Sequence, residues 1–234
     1  MKIFHVLKLK GIGGVQSQFE VFFNSLSGSI KKYNFIVNIG SIDPHYSSIK
    51  SAYPGYLKKL FIYLLSKNSV VHSYNNLTSK KFLMVYKILR PHYLIFHERG
   101  NAWNLPSSCK KVVIDNANLS KKIICNSEAS KILLHKKFGV NLNKMVVIYN
   151  GVISNRMIRQ ASEIEKHTCS EKYIIGFVGR IDTNKGIQSL IESMLYLDTD
   201  IFELHIIGDG DLHEEYKRYV NELNINSVKF LGRV

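Results

Sequence analysis

The stretch Tyr173–Ser193 constrains the fold most strongly, because a strand pattern gives way to a helix pattern within it. The apolar run Tyr173–Val178 is long enough for a buried strand and too short for a helix. Beyond it, one helical face carries the apolar side chains of Ile187, Leu190, Ile191 and Met194. The pattern predicts a strand–helix unit of an open α/β sheet, in which ligands bind at the carboxyl ends of the strands.

The turn between this strand and this helix carries Gly179, Arg180, Lys185 and Gly186. A helix start offers unpaired N–H groups and the positive end of the helix dipole to an anion. Arg180 adds a planar fork of donors and Lys185 adds a point charge, so the turn predicts a phosphate or diphosphate site. The alternative is an ordinary strand-to-helix loop with two solvated cations, and the turn alone does not separate the two.

Composition sets the class of protein. A chain of 234 residues that is 45% hydrophobic can build one large packed domain or two small ones. Three cysteines without a CxxC pair argue for a reducing cytoplasm and against a zinc site or a disulfide framework. The nine histidines are scattered, so no metal is expected. The sequence shows neither a signal peptide nor an apolar run near the roughly 18 residues of a membrane span.

The positive charge lies entirely in the first part of the chain. Residues 1–150 contain 22 basic and 5 acidic residues, a balance of +17, whereas residues 151–234 contain 10 and 13, a balance of −3. This asymmetry favours an anionic partner, either a membrane surface, a lipid phosphate or nucleic acid, over a merely solvated basic surface. A helix predicted over residues 53–66 has one apolar stripe flanked by lysines. It either packs on the sheet or lies on an anionic bilayer.

Strand and helix patterns alternate along the rest of the chain. Further strands are predicted at Lys2–Leu7, Asn34–Gly40, Val70–Tyr74, Tyr93–Phe96, Lys122–Cys125, Met145–Tyr149, Phe202–Ile207 and Val228–Leu231. Further helices are predicted from Val15, over Ser79–Leu89 and Ser107–Ser120, from a cap at Ser127 or Ser130 to Lys137, and over Leu212–Leu223. The inward residues of the helix from Val15 are predicted to be Val15, Phe19, Phe22, Phe23 and Leu26. Residues 154–170 are polar and predict a linker between domains at 1–153 and 171–234.

Two strand ends in the first domain carry candidate functional groups. The glycine loop after the first strand suits an anion, but Gln16 stands where a dinucleotide fingerprint needs glycine or alanine. The sequence HERG places His97, Glu98 and Arg99 at the carboxyl end of the fourth strand. Of these, His97 alone has an ordinary pKa near neutrality, so it is either a functional group or a hydrogen-bonded structural residue.

Several short motifs together resemble one family. The order GGVQ, HERG, CNS, IYNGV, GFVGRIDTNKG, IIGDG and FLGRV is similar to glycosyltransferase family 4, the group 1 glycosyl transferases. The resemblance implies a GT-B type α/β fold, with a Rossmann-like N-terminal domain and an incomplete second Rossmann-like domain. It also implies retaining transfer of a hexosyl group from a nucleoside diphosphate sugar, without a cofactor or nucleic acid.

The same resemblance implies a setting. It suggests bacterial surface-polysaccharide synthesis, a lipid-linked or saccharide acceptor, and a cytoplasmic protein at the inner face of the cell membrane.

The resemblance also implies roles for individual residues. On the donor side, Arg180 and Lys185 hold the diphosphate, and the backbone turns around the nucleotide sugar are Gly13, Gly14, Gly179, Gly208, Gly210 and Gly232. Arg233 and Val234 match positions near the base. His97 lies beside the transferring sugar and is, with Arg180 and Lys185, one of the three catalytic residues that the resemblance implies. The residues on the acceptor side or at the interdomain edge are Glu98, Arg99, Asn126, Ser127, Asn150 and Gly151.

One departure from the family pattern leaves alternatives open. Family members carry an E-x7-E glutamate pair after the FLG turn, and this sequence stops before that motif. The 234-residue chain alone is therefore expected to show little or no transfer. A catalytically inactive fragment and a GT-B nucleotide-sugar epimerase are the alternatives, with a basic nucleic-acid-binding module as a remote one.

Overall fold

The computed structural model describes residues 1–10, 14–40, 42–46, 69–99, 105–151 and 172–233. The chain divides into two compact units, Met1–Ser154 and Asn155–Val234. The predicted helix at 53–66 and the predicted linker at 154–170 lie outside the described residues. Within those residues, no helix is both long enough and apolar enough to cross a bilayer.

The first unit is built on six parallel strands. They are β1 (Lys2–Leu7), β2 (Asn34–Asn38), β3 (Ser69–Tyr74), β4 (Tyr93–Glu98), β5 (Lys122–Cys125) and β6 (Met145–Val147). Their order is β2-β1-β3-β4-β5-β6, and every neighbouring pair is parallel. The chain therefore changes direction across the sheet between β1 and β3, and the crevice outside the carboxyl ends at such a point is where open sheets bind ligands.

Helices cover both faces of this sheet. They are α1 (Gly14–Ser25), α2 (Gly28–Lys31), α3 (Lys80–Leu89), α4 (Lys110–Leu119) and α5 (Glu128–Phe138). On one face, alternate strand residues such as Phe4, Val71 and Phe96 join a core with α3, α4 and α5. On the other face, α1 buries Phe19 and Phe23 against Leu7 and Ile36. Each buried phenylalanine stabilises this packing by roughly 1.5–3 kcal/mol.

The helix boundaries have local causes that the sequence shows. Ser79 and Ser127 precede α3 and α5, and each side chain accepts a hydrogen bond from the backbone N–H three residues later, at 3.3 and 3.1 Å. Gly139 ends α5 with φ at +77°, a left-handed conformation that glycine adopts without strain. The structure thus assigns the cap of α5 to Ser127, whereas Ser130 lies buried inside the helix.

The second unit contains three parallel strands in the order β7-β8-β9, namely β7 (Tyr173–Val178), β8 (Phe202–Ile207) and β9 (Val228–Gly232). Two helices, α6 (Ile187–Ser193) and α7 (His213–Glu222), pack on one face. Ile187 and Ile191 of α6 and Met194 directly after it are buried as the helical pattern predicted, and Leu190 is partly buried. They share a core with Leu204 and Ile206 of β8.

Several details differ from the sequence prediction. β7 is not a buried strand, because it lies at the edge of its sheet and Tyr173, Ile174 and Val178 are largely exposed. β4 runs two residues further than predicted, so His97 and Glu98 lie within the strand. β2 and β6 end earlier than predicted, at Asn38 and Val147. Phe22 of α1 is 39% exposed because the inward face of that helix runs through Phe19 and Phe23.

Candidate functional site

The carboxyl half of the first sheet holds a cluster of polar aromatic side chains on one face. His5 of β1 stands beside His72 of β3 in the strand register, and Tyr74 stands beside His97 of β4. The His72 and His97 rings are parallel with centroids 5.3 Å apart, and the Tyr74 and His97 centroids are also 5.3 Å apart. We call His5, His72, Tyr74, His97 and Arg99 the histidine cluster.

Arg99 joins the cluster from the loop after β4. Its Nε donates to His97 Nε2 at 3.1 Å, and its guanidinium carbon lies 5.8 Å from the centre of the Tyr74 ring. The backbone of this loop is fixed by Asn75, whose N–H donates to the His97 carbonyl and whose Oδ1 accepts from the Arg99 N–H at 2.9 Å. Asn75 has φ at +53°, so the loops after β3 and β4 are held together by one residue in a left-handed conformation.

Burial makes the histidines of the cluster neutral. It lowers the pKa of His5 to about 4, with a hydrogen bond to Asn34 acting in the opposite direction. It also lowers the pKa of His97 to about 3, and the Arg99 cation beside the ring lowers it further. The pKa of His72 is depressed by burial and then by the neighbouring histidines and Arg99. At neutral pH the fixed positive charge of the cluster is therefore that of Arg99.

In the second unit, the loops after the three strands are joined by backbone hydrogen bonds. The Ile181 N–H donates to the Asp209 carbonyl at 3.0 Å, and the Gly208 N–H donates to the Gly232 carbonyl at 2.7 Å. Two glycines allow this approach. A Cβ on Gly208 would lie 1.9 Å from the Gly179 carbonyl oxygen, and one on Gly210 would lie 2.2 Å from that of Ile181.

The two predicted diphosphate ligands lie around one carboxylate, Asp182. Arg180 Nε donates to Asp182 Oδ2 at 2.6 Å, while the Arg180 side chain remains 71% exposed. The hydrogen bond from Arg180 lowers the pKa of Asp182 most, and the charges of Arg180 and Lys185 lower it further. Asp182 Oδ1 also accepts from the Asn184 N–H at 3.0 Å, which fixes the turn that carries Lys185. The structure therefore brings Arg180 and Lys185 to the same turn.

A second carboxylate, Asp209, lies in the loop after β8. Its Oδ1 accepts from the Gly210 N–H at 2.8 Å and contacts His213 Nδ1 at 3.0 Å. These two hydrogen bonds lower the pKa of Asp209, and the charge of Arg233 lowers it further. Arg233, predicted near a base, thus belongs to the same edge of the sheet as the Gly208–Gly210 loop.

Most of the remaining predicted site residues lie at or just beyond the ends of strands and helices. Gly14 is the first residue of α1 and is exposed, and Asn150 and Gly151 are exposed beyond β6. Asn126 and Ser127 follow β5, where Ser127 caps α5. Glu98 is buried in β4. Gly13 and Val234 lie outside the described residues.

Sequence reasoning missed His5, His72 and Tyr74 of the histidine cluster, and it missed Asp182. A signal existed for the first three, because polar side chains at alternate positions of buried strands are unusual. Among the described residues, no group of histidine, cysteine or carboxylate side chains has the arrangement of a metal site.

Comparison with known proteins relates part of the chain to one family. Residues 159–234 match the model of "Glycosyl transferases group 1". An uncharacterized glycosyltransferase of Methanocaldococcus jannaschii is 31% identical over 157 residues, which are 64% of this chain and 39% of that protein. The chain thus spans about two fifths of the length of that relative.

Solved structures show the same architecture. Anabaena HepE in complex with UDP-glucose has a TM-score of 0.67 at 18% identity, covering 100% of this chain and 69% of that one. The lipopolysaccharide outer core galactosyltransferase WaaB has a TM-score of 0.68 at 16% identity, covering 100% and 68%. The resemblance that the motifs predicted is confirmed: residues 159–234 match the group 1 glycosyl transferase model, and the chain has the Rossmann-like parallel sheets of the GT-B fold.

Proposed function

We propose that this chain belongs to a retaining glycosyltransferase that moves a hexosyl group from a nucleoside diphosphate sugar to a membrane-associated acceptor. The acceptor would be a lipid-linked or saccharide hydroxyl in surface-polysaccharide synthesis. The second unit would hold the donor, and the carboxyl edge of the first sheet would lie on the acceptor side.

One observation supports the donor site above all, namely the joined loops that carry Arg180 and Lys185 around Asp182. Only the Nε of Arg180 is engaged among the described residues, and Lys185 is exposed. Both cations are therefore available to phosphate oxygens. The UDP-glucose complex of Anabaena HepE agrees with a nucleotide sugar as the ligand.

The chemistry follows from the charge of the leaving group. Departure of a nucleoside diphosphate builds negative charge on its oxygens, and fixed cations and N–H dipoles stabilise that charge as it forms. Arg180 and Lys185 would supply this stabilisation. His97 would position the sugar through a hydrogen bond rather than remove a proton.

The proposed membrane partner rests on the charge of the first part of the chain, with its balance of +17. Exposed cations such as Lys87, Arg90, Lys111 and Lys121 contribute to it within the described residues. Vesicles that contain anionic lipid should sediment the chain, and neutral vesicles should not. Equal binding to both kinds of vesicle, or to neither, would remove the membrane from the proposal.

Titration with UDP tests the donor site directly. We expect Arg180→Ala and Lys185→Ala each to weaken UDP binding roughly 10- to 100-fold, the loss of one or two hydrogen bonds to a charged group. Lys217→Ala is the matched control, because Lys217 lies on α7 and its only ion pair among the described residues is with Glu214, at 3.4 Å. Its affinity should stay within about twofold of the unaltered chain.

Two results would contradict the proposal. UDP binding that is equal in all three variants would remove Arg180 and Lys185 from the site. Tight oligonucleotide binding with a steep salt dependence would favour the nucleic-acid module instead. Product analysis with a labelled nucleotide sugar, on the longest natural form of the protein, separates transfer from epimerisation.

A further inference from the structure

Hydrogen bonds in the histidine cluster determine which ring nitrogens carry protons. Asn34 Nδ2 donates to the Ile30 carbonyl at 2.9 Å, so its amide orientation is fixed and its Oδ1 faces His5 Nε2 at 2.8 Å. An amide oxygen only accepts, so His5 carries its proton on Nε2 and has a lone pair on Nδ1. That lone pair accepts from the Tyr74 hydroxyl at 3.2 Å.

The sequence of donors continues from Tyr74 to His72. Because the Tyr74 hydroxyl proton points to His5, its oxygen accepts from His72 Nδ1 at 3.2 Å. His72 therefore carries its proton on Nδ1 and has a lone pair on Nε2. This Nε2 is buried and has no hydrogen-bond partner among the described residues.

Arg99 fixes the proton on the third ring independently. An arginine Nε carries one hydrogen and cannot accept, so His97 Nε2, at 3.1 Å from it, must be the acceptor. A proton on this nitrogen would place two N–H groups against each other. The single proton of a neutral His97 therefore lies on Nδ1, which is buried and without a partner among the described residues, as is Arg99 Nη1.

We propose that Arg99 is a positioning residue that holds His97 in its neutral Nδ1–H form, so that His97 presents a hydrogen-bond donor, and never a basic nitrogen, to an oxygen of the ligand. The ligand class that this arrangement fits is a hydroxyl-bearing molecule. A hydroxyl oxygen can accept a hydrogen bond from an imidazole N–H such as that of His97 Nδ1. The role of His97 towards a sugar ligand rests on the proposed function, whereas the position of its proton does not.

The surroundings of His97 agree with a neutral ring. His72 and Tyr74 face it from β3, and Arg99 faces it from the loop. His5 on β1 reaches it only through Tyr74 and His72. None of these groups is a carboxylate that would stabilise an imidazolium. Burial, and then the charge of Arg99, lowers the pKa of His97 to about 3.

Imidazole nitrogen NMR of the ¹⁵N-histidine-labelled chain tests the proposal without any need for activity. We expect His97 to show a protonated Nδ1 and an unprotonated Nε2 from pH 7 down to pH 5. His97→Gln identifies its signals. In Arg99→Met the Nε2–H tautomer should appear, and the titration midpoint should rise by about one pH unit or more. Arg99→Lys should keep Nε2 unprotonated, and Arg90→Met is the control at an exposed arginine.

Several outcomes would overturn the proposal. A wild-type His97 that is protonated on Nε2, or doubly protonated at pH 7, contradicts it even if Arg99→Met fails to fold. An Arg99→Met chain with unchanged His97 signals also contradicts it, provided that His5 still shows its Nε2–H form as evidence of folding. UDP binding is measured separately, on variants of Arg180 and Lys185. If those variants bind UDP as tightly as the unaltered chain, the proton assignment of His97 is unaffected. If the NMR experiment contradicts the proton assignment, the proposed diphosphate site is unaffected.

Discussion

Substitution of Gly208 or Gly210 by alanine should destabilise the second unit strongly. An added Cβ would lie 1.9 Å from the Gly179 carbonyl oxygen in the first case and 2.2 Å from the Ile181 carbonyl oxygen in the second. Real Cβ atoms essentially never come closer than 3.0 Å to such an atom, so the loops must separate by about 1 Å. The neighbouring atoms are backbone, which cannot rotate away as a side chain could.

The expected cost follows from what the separation breaks. Overpacking of this kind costs about 1–3 kcal/mol. The hydrogen bond from Ile181 N–H to the Asp209 carbonyl, 3.0 Å long, would be stretched or lost at a further cost of about 0.5–1.5 kcal/mol. Gly208 also has φ at +141°, which alanine adopts with strain. Each substitution should therefore lower the free energy of unfolding by about 2–4 kcal/mol, a large part of the roughly 5–15 kcal/mol of a typical domain.

Gly176→Ala is the matched control, because a Cβ on Gly176 in β7 meets nothing within 4 Å. Urea unfolding followed by circular dichroism gives the global effect. Hydrogen exchange of peptides from residues 172–233 isolates the second unit, since two units need not unfold together. If the Gly208 and Gly210 variants lay within about 0.5 kcal/mol of Gly176→Ala, the close approach of the loops would not be a feature of the protein.

Three further perturbations test other parts of the fold. Burial lowers the pKa of His5 from 6.5 to about 4, so the His5 contribution to stability is fully present above pH 6.5 and falls by about 1.4 kcal/mol per pH unit as the pH drops towards 4. The lowered pKa values of His72 and His97 add to this loss. In urea unfolding at pH 7 and pH 5, His5→Gln should therefore remove part of the pH dependence of stability, and not all of it. Lys144 Nζ donates to three carbonyl oxygens at the end of α4, at 2.9–3.0 Å. Lys144→Met should therefore lower the urea midpoint by an amount equivalent to about 1–2 kcal/mol. The control Lys136→Met, at an exposed lysine, should change the midpoint little. Ser127→Ala should cost about 1 kcal/mol through loss of the α5 cap in the same assay, whereas Ser127→Asp should retain most of it.

Local sequence patterns predicted the elements whose boundaries have local causes. β1, β5, β7 and β8 have the bounds that their apolar runs predicted. Ser127 and Gly139 likewise mark the ends of α5, because capping depends on residues only a few positions apart. The two residues by which β4 exceeds its predicted length have a non-local cause. β4 continues through His97 and Glu98 because these residues pair with Tyr74 of β3 and with Ile124 and Cys125 of β5.

Contacts between distant residues explain why the site was predicted only in part. His5 meets Asn34 and Tyr74, which are 29 and 69 positions away in the sequence, so no window of the chain contains the cluster. Asp182 lies two positions from Arg180, yet its part in the turn depends on side-chain directions that the motif does not show. Whether the predicted site residues act in transfer stays a prediction.

The cations at the carboxyl ends of the strands differ between the first and the second sheet in how their charge is balanced. This difference affects what each sheet can bind. Arg180 already faces a carboxylate, Asp182, and Arg233 lies near another, Asp209. The charge of Lys185 also acts on Asp182, so the positive charge at the carboxyl end of the second sheet is partly offset by these two carboxylates. Arg99 instead faces a neutral histidine and an aromatic ring, and it has no carboxylate partner among the described residues. The charge of Arg99 is partly buried, so salt screens it less than it screens the exposed cations of the second sheet.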